Sequence, residues 1–474
     1  MFRKEKTMIE DGGEQGDYLD PTMTTGTERR GSAVAHDAVF GEITEDGPNY
    51  RAVGWKGAIV LMLKTQVGLG VLSIPAVFDT LGLIPGILCL IAIAVCTSWS
   101  GYIVGVFKLR HSDVYGLDDV GRKLLGRAGY EIFGIAFALF CIFVAGSGIL
   151  GIATALNALS SHGACTAIFV AVAAIVGFSL GSIQTLGRIS WLAWAGTMSI
   201  LVSILILTIA VGVQDRPSAA PQTGPFVSDW KLFNTPDATS AFAALSSIVF
   251  AYAGVPAYFN IVSEMREPRH FTKSLIWCQS IMTATYITIG VVVYYYCGSY
   301  VASPALGSAG PLLKKVCYGI ALLGLIVSTT MYIHFAAKYF FIRFLRGTDH
   351  LARNTKIHWM TWIGCTGGCA GIAYIIASAI PVFGGLVSLV GALLGTLICF
   401  QPMGGMWLYD HWSKGKVEKS AKWMLMVFWS IFIIVAGTFL MISGTYGSVV
   451  GIIDSYNETG GSSAWTCADN SNSS

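Results

Sequence analysis

Eleven apolar stretches, each long enough to cross a bilayer, dominate this chain and leave it little choice of fold. A spanning helix needs about 20 apolar residues, and the stretches run at about 55–80, 83–107, 131–159, 165–185, 190–213, 239–262, 273–300, 312–341, 357–380, 384–408 and 423–444. Inside hydrocarbon every backbone amide and carbonyl must be satisfied within the protein, so segments this long can cross only as helices. The expected fold is an all-α integral membrane protein with eleven transmembrane helices and the lipid bilayer as its surroundings. Only 12% of the residues are charged, against about 25% in soluble proteins. The net charge of +3 gives no reason to expect nucleic acid as a partner. Eleven cysteines show no metal-ligand spacing, and the nearest pair, Cys365 and Cys369, reads as packing in an apolar helix. We expect no metal and no cofactor. No span carries a paired acid or a Ser/His arrangement at helical spacing, so catalytic residues are not expected and the chain reads as a non-enzyme.

Two of the stretches are interrupted. The first contains Gly68, Gly70 and Pro75, and the sixth contains Gly254 and Pro256. Glycine disfavours helix by about 1 kcal/mol and proline by about 3 kcal/mol. A simple kink is the competing account for either break alone, but two breaks five spans apart need a common reason. Interrupted spans at matching positions of two halves point to a transport site. An odd repeat of five spans reverses its direction on the second pass, which predicts a five-plus-five inverted repeat with broken helices 1 and 6 and one span left over.

The run Lys64-Thr65-Gln66-Val67-Gly68-Leu69-Gly70-Val71-Leu72-Ser73-Ile74-Pro75, followed by Ser263-Glu264-Met265-Arg266-Glu267-Pro268, resembles the amino acid/auxin permease family, and within it the fungal neutral amino acid permeases. The resemblance covers about residues 54–444 and implies a leucine-transporter-like secondary transporter of neutral amino acids, with protons as the coupling ion. An amino acid sensor on the same scaffold is the alternative, kept open by the long N-terminal segment.

Helix ends inside a membrane suit a zwitterion. The amides of Gly68, Leu69 and Gly70 are expected to face the substrate carboxylate. The carbonyls of Thr65, Gln66, Phe250 and Ala251 are expected to accept from its ammonium. Gly254 would hold the second break open, and Tyr252, with Phe250, would shape the side-chain pocket.

Lys64 is the deepest charged residue. Starting from Trp55 it lies about 13 Å along the helix, near the middle of a core about 30 Å thick. Such residues are functional candidates, although a later start to the span would leave it in the inner vestibule. In sodium-coupled relatives of the family an Asn takes this position and binds sodium with a hydroxyl of span 8. Here span 8 offers Ser328, Thr329 and Thr330, and lysine replaces Asn. The resemblance thus implies sodium-independent coupling in which Lys64 either stands in for the ion or loses and regains a proton. His334 and Lys338 are placed to pair with Glu264 or to mark the inner end of the span.

With the N-terminus inside, the cytoplasmic loops hold 18 Lys and Arg residues and the outer positions hold 4. This asymmetry fixes the orientation and puts the C-terminus outside, where the sequons at Asn457 and Asn472 would be glycosylated. Cys165, Cys297 and Cys467 fall near the outer face, so a disulfide among them is open. Residues 1–53 are polar and expected to be disordered; 445–474 form an external tail. No removable signal peptide is expected. The 108–130 segment reads as an amphipathic helix on the inner surface, and the proline-rich 214–237 segment as a cap or a linker. The Ala145-Gly146-Ser147-Gly148 run and Gly364, Gly367, Gly368 and Gly371 read as helix packing. Destination is the plasma membrane, with the vacuolar membrane as the alternative.

Overall fold

The computed structural model describes residues 35–37, 41–43, 53–184, 186–221, 223–351, 353, 355–380, 382–458, 465 and 467–471. Most of the 1–53 segment, and Asn472, lie outside the described residues. What is described of that segment is a small antiparallel ribbon, β1 (Ala35–Asp37) with β2 (Gly41–Ile43), and Val53 at its end. The rest is helical. Ten helical segments among the described residues are long and apolar enough to cross a membrane. The fourth expected span appears as a shorter helix, α5 (Thr166–Gly181). It stops early because the polar turn at Ser182 begins there, and the Ser182 carbonyl accepts from the indole of Trp362 at 2.7 Å.

The first span divides into α1 (Trp55–Gln66), a 3-10 turn at Gly70–Ser73 and α2 (Ile74–Leu81). Pro75 opens α2, where a missing amide costs nothing. Span 2 is α3 (Leu83–Arg110), and α4 (Leu117–Ser160) carries span 3. Gly126, at φ +65°, bends α4 between its surface turn and its membrane portion. Buried Val114, Leu117 and Val120 fasten that surface turn to the protein. Span 5 is α6 (Leu186–Val213). The sixth span is α7 (Ala238–Tyr252), a 3-10 turn at Val255–Ala257 and α8 (Tyr258–Glu264). Spans 7 to 9 are α9 (Phe271–Cys297), α10 (Pro311–Leu345) and α11 (Lys356–Ala379). Span 10 comprises α12 (Phe383–Val390), a π turn at Gly391–Gly395, α13 (Thr396–Cys399) and α14 (Gln401–Glu418). The last helix, α15 (Ala421–Glu458), continues past the expected end at 444.

The interior is apolar, as in a soluble protein, but much of the outer surface is apolar as well. Phe428, Val435, Phe439 and Ile442 on α15 are each exposed, at helical spacing, as a lipid-facing stripe requires. Inside, α10 packs along α4 and α6, α1 packs against α6 and α9, and α2 against α7 and α9. Gly146 packs on Ala373 and Ile376, and Gly148 on Thr329. Span 9 departs from the expectation: Gly364, Gly368 and Gly371 would meet nothing with an added Cβ, and only Gly367 lies against Phe178. Small residues leave a shallow lipid-facing groove there.

The two ends of the bundle are fastened differently. At one end Cys165 and Cys467 form a disulfide, while Cys297 remains a buried thiol. The tail beyond α15 docks there, with Thr166 donating to the Ala468 carbonyl at 2.7 Å and Asn157 to Asn470 at 2.8 Å. The 214–237 segment caps the same end: the carbonyls of Lys231 and Leu232 accept from Leu83 and Ile84 at 3.0 Å. At the other end Val53 pairs in parallel with Met265. Its amide donates to Glu264 O at 3.1 Å, and its carbonyl accepts from Arg266 at 2.8 Å. Lys338 and Glu264 form a buried pair at 2.7 Å beside that seam.

Candidate functional site

The site grows out of the ends of α1 and α7. Val67 leaves helical geometry at φ −73° and ψ 99°, so the carbonyls of the last turn of α1 have no following helix to bond. Lys64, 1% exposed, turns its ammonium toward them. Its Nζ donates to the carbonyl of Gly324 on α10 at 2.8 Å and lies 3.5 Å from that of Val67. A buried amine donor therefore joins the first span to the eighth at the break.

The other freed carbonyls are also engaged. The Tyr332 hydroxyl on α10 donates to Thr65 O at 2.5 Å. Tyr286 on α9 lies 3.1 Å from Gln66 O and 2.9 Å from Ala251 O. The Phe250 carbonyl accepts from Ala253 at 3.1 Å. Side chains and turns of the protein itself thus hold the carbonyls that the sequence offered to an ammonium. This is the ordinary resolution of buried backbone groups in a membrane core.

Lys64, Thr65, Gln66, Gly68, Leu69, Gly70, Phe250 and Ser328 meet around one small cavity, walled also by Phe140, Val144 and Tyr332. Its volume is about 10 Å3. Two of its polar atoms, Ser328 Oγ and Gln66 Oε1, are buried with no hydrogen-bond partner, although Gln66 Nε2 donates to the Tyr258 hydroxyl. Unpaired buried polar atoms are costly, and a ligand would satisfy them.

Four expected residues do not line the cavity: Ala251 and Gly254, which pack where the two breaks meet, and Tyr252 and Thr329, which turn away from it. Tyr252 turns its hydroxyl to Thr283, at 2.9 Å, and its ring packs edge-on against Tyr286. Thr329 donates to Leu325 O at 2.9 Å and faces Gly148 and Gly177 on spans 3 and 4. Neither borders the cavity. Helical spacing explains the second case: Ser328 and Thr329 are neighbours in sequence and so lie about 100° apart around α10. His334 is likewise remote, packed 5.3 Å from the Trp362 ring.

The two breaks touch. An added Cβ on Gly70 would come within 2.5 Å of the Ala251 Cα, and one on Gly68 within 2.7 Å of Ser328 Oγ. Gly254 lies against Thr65 Oγ1 and Gln66 Cγ, and Gly391 in the π turn of span 10 against Ser246 O and Phe250. Glycine is required at Gly70 because backbone opposes backbone there. A wider cavity of about 430 Å3 lies between α2, α7, α12 and α15, reaches Ser73 just beyond the break, and includes Asp237 and Asp454.

Sequence reasoning missed Tyr286, Tyr332, Tyr258 and the span 3 wall. A signal was available for the tyrosines: Tyr favours the membrane interface, so a phenol in mid-span needs a partner.

The profile of the family described as transmembrane amino acid transporter protein matches residues 51–450. The chain belongs to that family. The transporter family's relatives include a transmembrane transporter of Gibberella moniliformis, 34% identical over 93% of this chain and 94% of that one. The N amino acid transport system protein of Neurospora crassa is 31% identical over 90% of this chain and 91% of its own. Vacuolar amino acid transporter 3 of Saccharomyces cerevisiae is 25% identical over 56% of this chain and 39% of its own. Among solved structures, a sodium-coupled sialic acid symporter in a substrate-bound outward-open state aligns with a TM-score of 0.54 at 12% identity. The alignment covers 85% of this chain and 91% of that chain, which establishes a shared fold. The protein is an amino acid transporter of the multi-pass membrane class. Among the described residues no group of three or more His, Cys, Asp or Glu is placed to hold a metal.

Proposed function

We propose that this transporter imports neutral amino acids by alternating access around the breaks of spans 1 and 6, driven by protons and without sodium. The observation that carries the reading is the Lys64 ammonium, 2.8 Å from the Gly324 carbonyl and joining the first span to the eighth. In its protonated form Lys64 takes the carbonyl and would repel a sodium ion beside it. Lys64 therefore supplies the charge that draws spans 1 and 8 together, and loss of its proton loosens them.

The substrate carboxylate is placed at the amides of Gly68, Leu69 and Gly70, with the Ser328 hydroxyl free to donate to it, while Gln66 Oε1 is free to accept from the substrate ammonium. Among the described residues the one cation bordering the cavity is committed to backbone carbonyls and no acid borders it, which suits an uncharged substrate side chain. At its present volume the cavity admits about one water, so binding requires the surrounding helices to part. The five-plus-five inverted repeat gives the geometry of that movement, with 54–444 as the transporting domain. The N-terminus lies in the cytoplasm, the end of α15 and the segment beyond it lie outside with glycans at Asn457 and Asn472, and the protein resides in the plasma membrane.

Uptake of labelled leucine or phenylalanine in sodium-free medium tests the reading. Accumulation should rise as external pH falls from about 8 to about 5 and collapse with a protonophore. A sodium requirement would remove Lys64 from the coupling role, and saturable binding without uptake would make the protein a sensor.

A further inference from the structure

The Tyr286 hydroxyl stands between the two helix ends where the proposed ammonium site lies. Gln66 O and Ala251 O are each the acceptor of a buried half-helix end, and one phenol lies 3.1 Å and 2.9 Å from them. A phenol has one proton to donate. It can fully satisfy one carbonyl at a time, and both carbonyls carry the negative end of a helix dipole. Tyr286 is 0% exposed, and its ring is packed edge-on against Tyr252 at 5.1 Å. Tyr332 makes a parallel arrangement with Thr65 O at 2.5 Å.

We infer that Tyr286, assisted by Tyr332, holds the broken-helix carbonyls while the carrier returns without cargo, and yields them to the substrate ammonium when cargo binds. The inference rests on the transport reading given above. An ammonium brings three donors to the acceptors that two hydroxyls serve less completely. Without cargo, a carrier lacking the Tyr286 hydroxyl must cross its closed state with a bare carbonyl in the membrane core, which is disfavoured. With cargo aboard, the ammonium supplies the missing donor. Tyr286 is thus a positioning residue for the return step.

The test separates the two directions of the cycle. Full-length protein in liposomes is assayed for net uptake of labelled leucine into amino-acid-free vesicles, and for exchange against leucine preloaded inside. Exchange needs no empty return; net uptake does. In Tyr286→Phe the ratio of exchange to net uptake should rise about tenfold over the native protein, and in Tyr332→Phe it should rise less. A proportional fall in both rates, or an unchanged ratio, would overturn the inference. If Tyr286→Phe does not fold, an unchanged ratio in Tyr332→Phe overturns it alone. A native protein that neither accumulates nor exchanges amino acids refutes the transport reading itself.

Discussion

The two broken spans look alike in sequence and differ in structure. Each carries glycine ahead of proline inside an apolar run. In the first, Val67 goes extended at ψ 99° and Lys64 and two tyrosines are drawn in to hold the loose ends. In the second, Ala253 at φ −77° and ψ 24° and Gly254 at φ −77° and ψ −12° stay close to helical values, and the chain only tightens into a 3-10 turn. The Phe250 carbonyl is answered locally by Ala253. One break is an opening and the other a constriction. The lesson is that Gly and Pro license a departure from the helix, while neighbouring side chains decide how far it goes.

Substitutions can break or sharpen this contrast. The largest effect is expected from Lys64→Met, which keeps the volume and removes the charge that holds the opening to span 8. Concentrative uptake should fall roughly 100-fold while folded protein at the membrane is retained; unchanged accumulation would place the chemistry elsewhere. Next is Gly70→Ala, whose Cβ meets the Ala251 backbone at 2.5 Å. Because a backbone cannot rotate aside, uptake should drop roughly tenfold. Gly254→Ala meets the side chains of Thr65 and Gln66 instead of backbone, so a smaller loss of about threefold is expected in the same uptake assay. Equal losses at the two glycines would erase the distinction between the breaks. The smallest effect belongs to Tyr252→Phe: its hydroxyl serves Thr283 rather than the cavity, so substrate KM should shift by less than about twofold.

Much of the architecture was legible in the sequence because hydropathy and helix breakers act locally. Lys64 is buried at the end of α1, inside the apolar run that the sequence marks, and the positions of both interruptions follow from Gly68, Gly70, Gly254 and Pro256. The partners of the loose ends were not legible. Tyr286 reaches Gln66 from 220 residues away and Tyr332 reaches Thr65 from 267, and such pairings exist only once the spans are packed. Span 9 shows the converse failure. Gly364, Gly368 and Gly371 have the composition of a tight helix contact but border open space, since the same small residues serve a close neighbour or a bare face. The shortness of α5 was hidden by an apolar run that continues past the point where the polar turn takes over.

The seam between Val53 and Met265 is sewn entirely from main-chain atoms. Hydrogen bonds between peptide groups do not read side-chain identity, so the letters at these positions are free to drift while the closure they make is preserved. Proline is the exception, because it has no amide to offer. A comparison of lineages that looked only for invariant residues would pass over this seam, although it ties the entrance of the first span to the exit of the sixth.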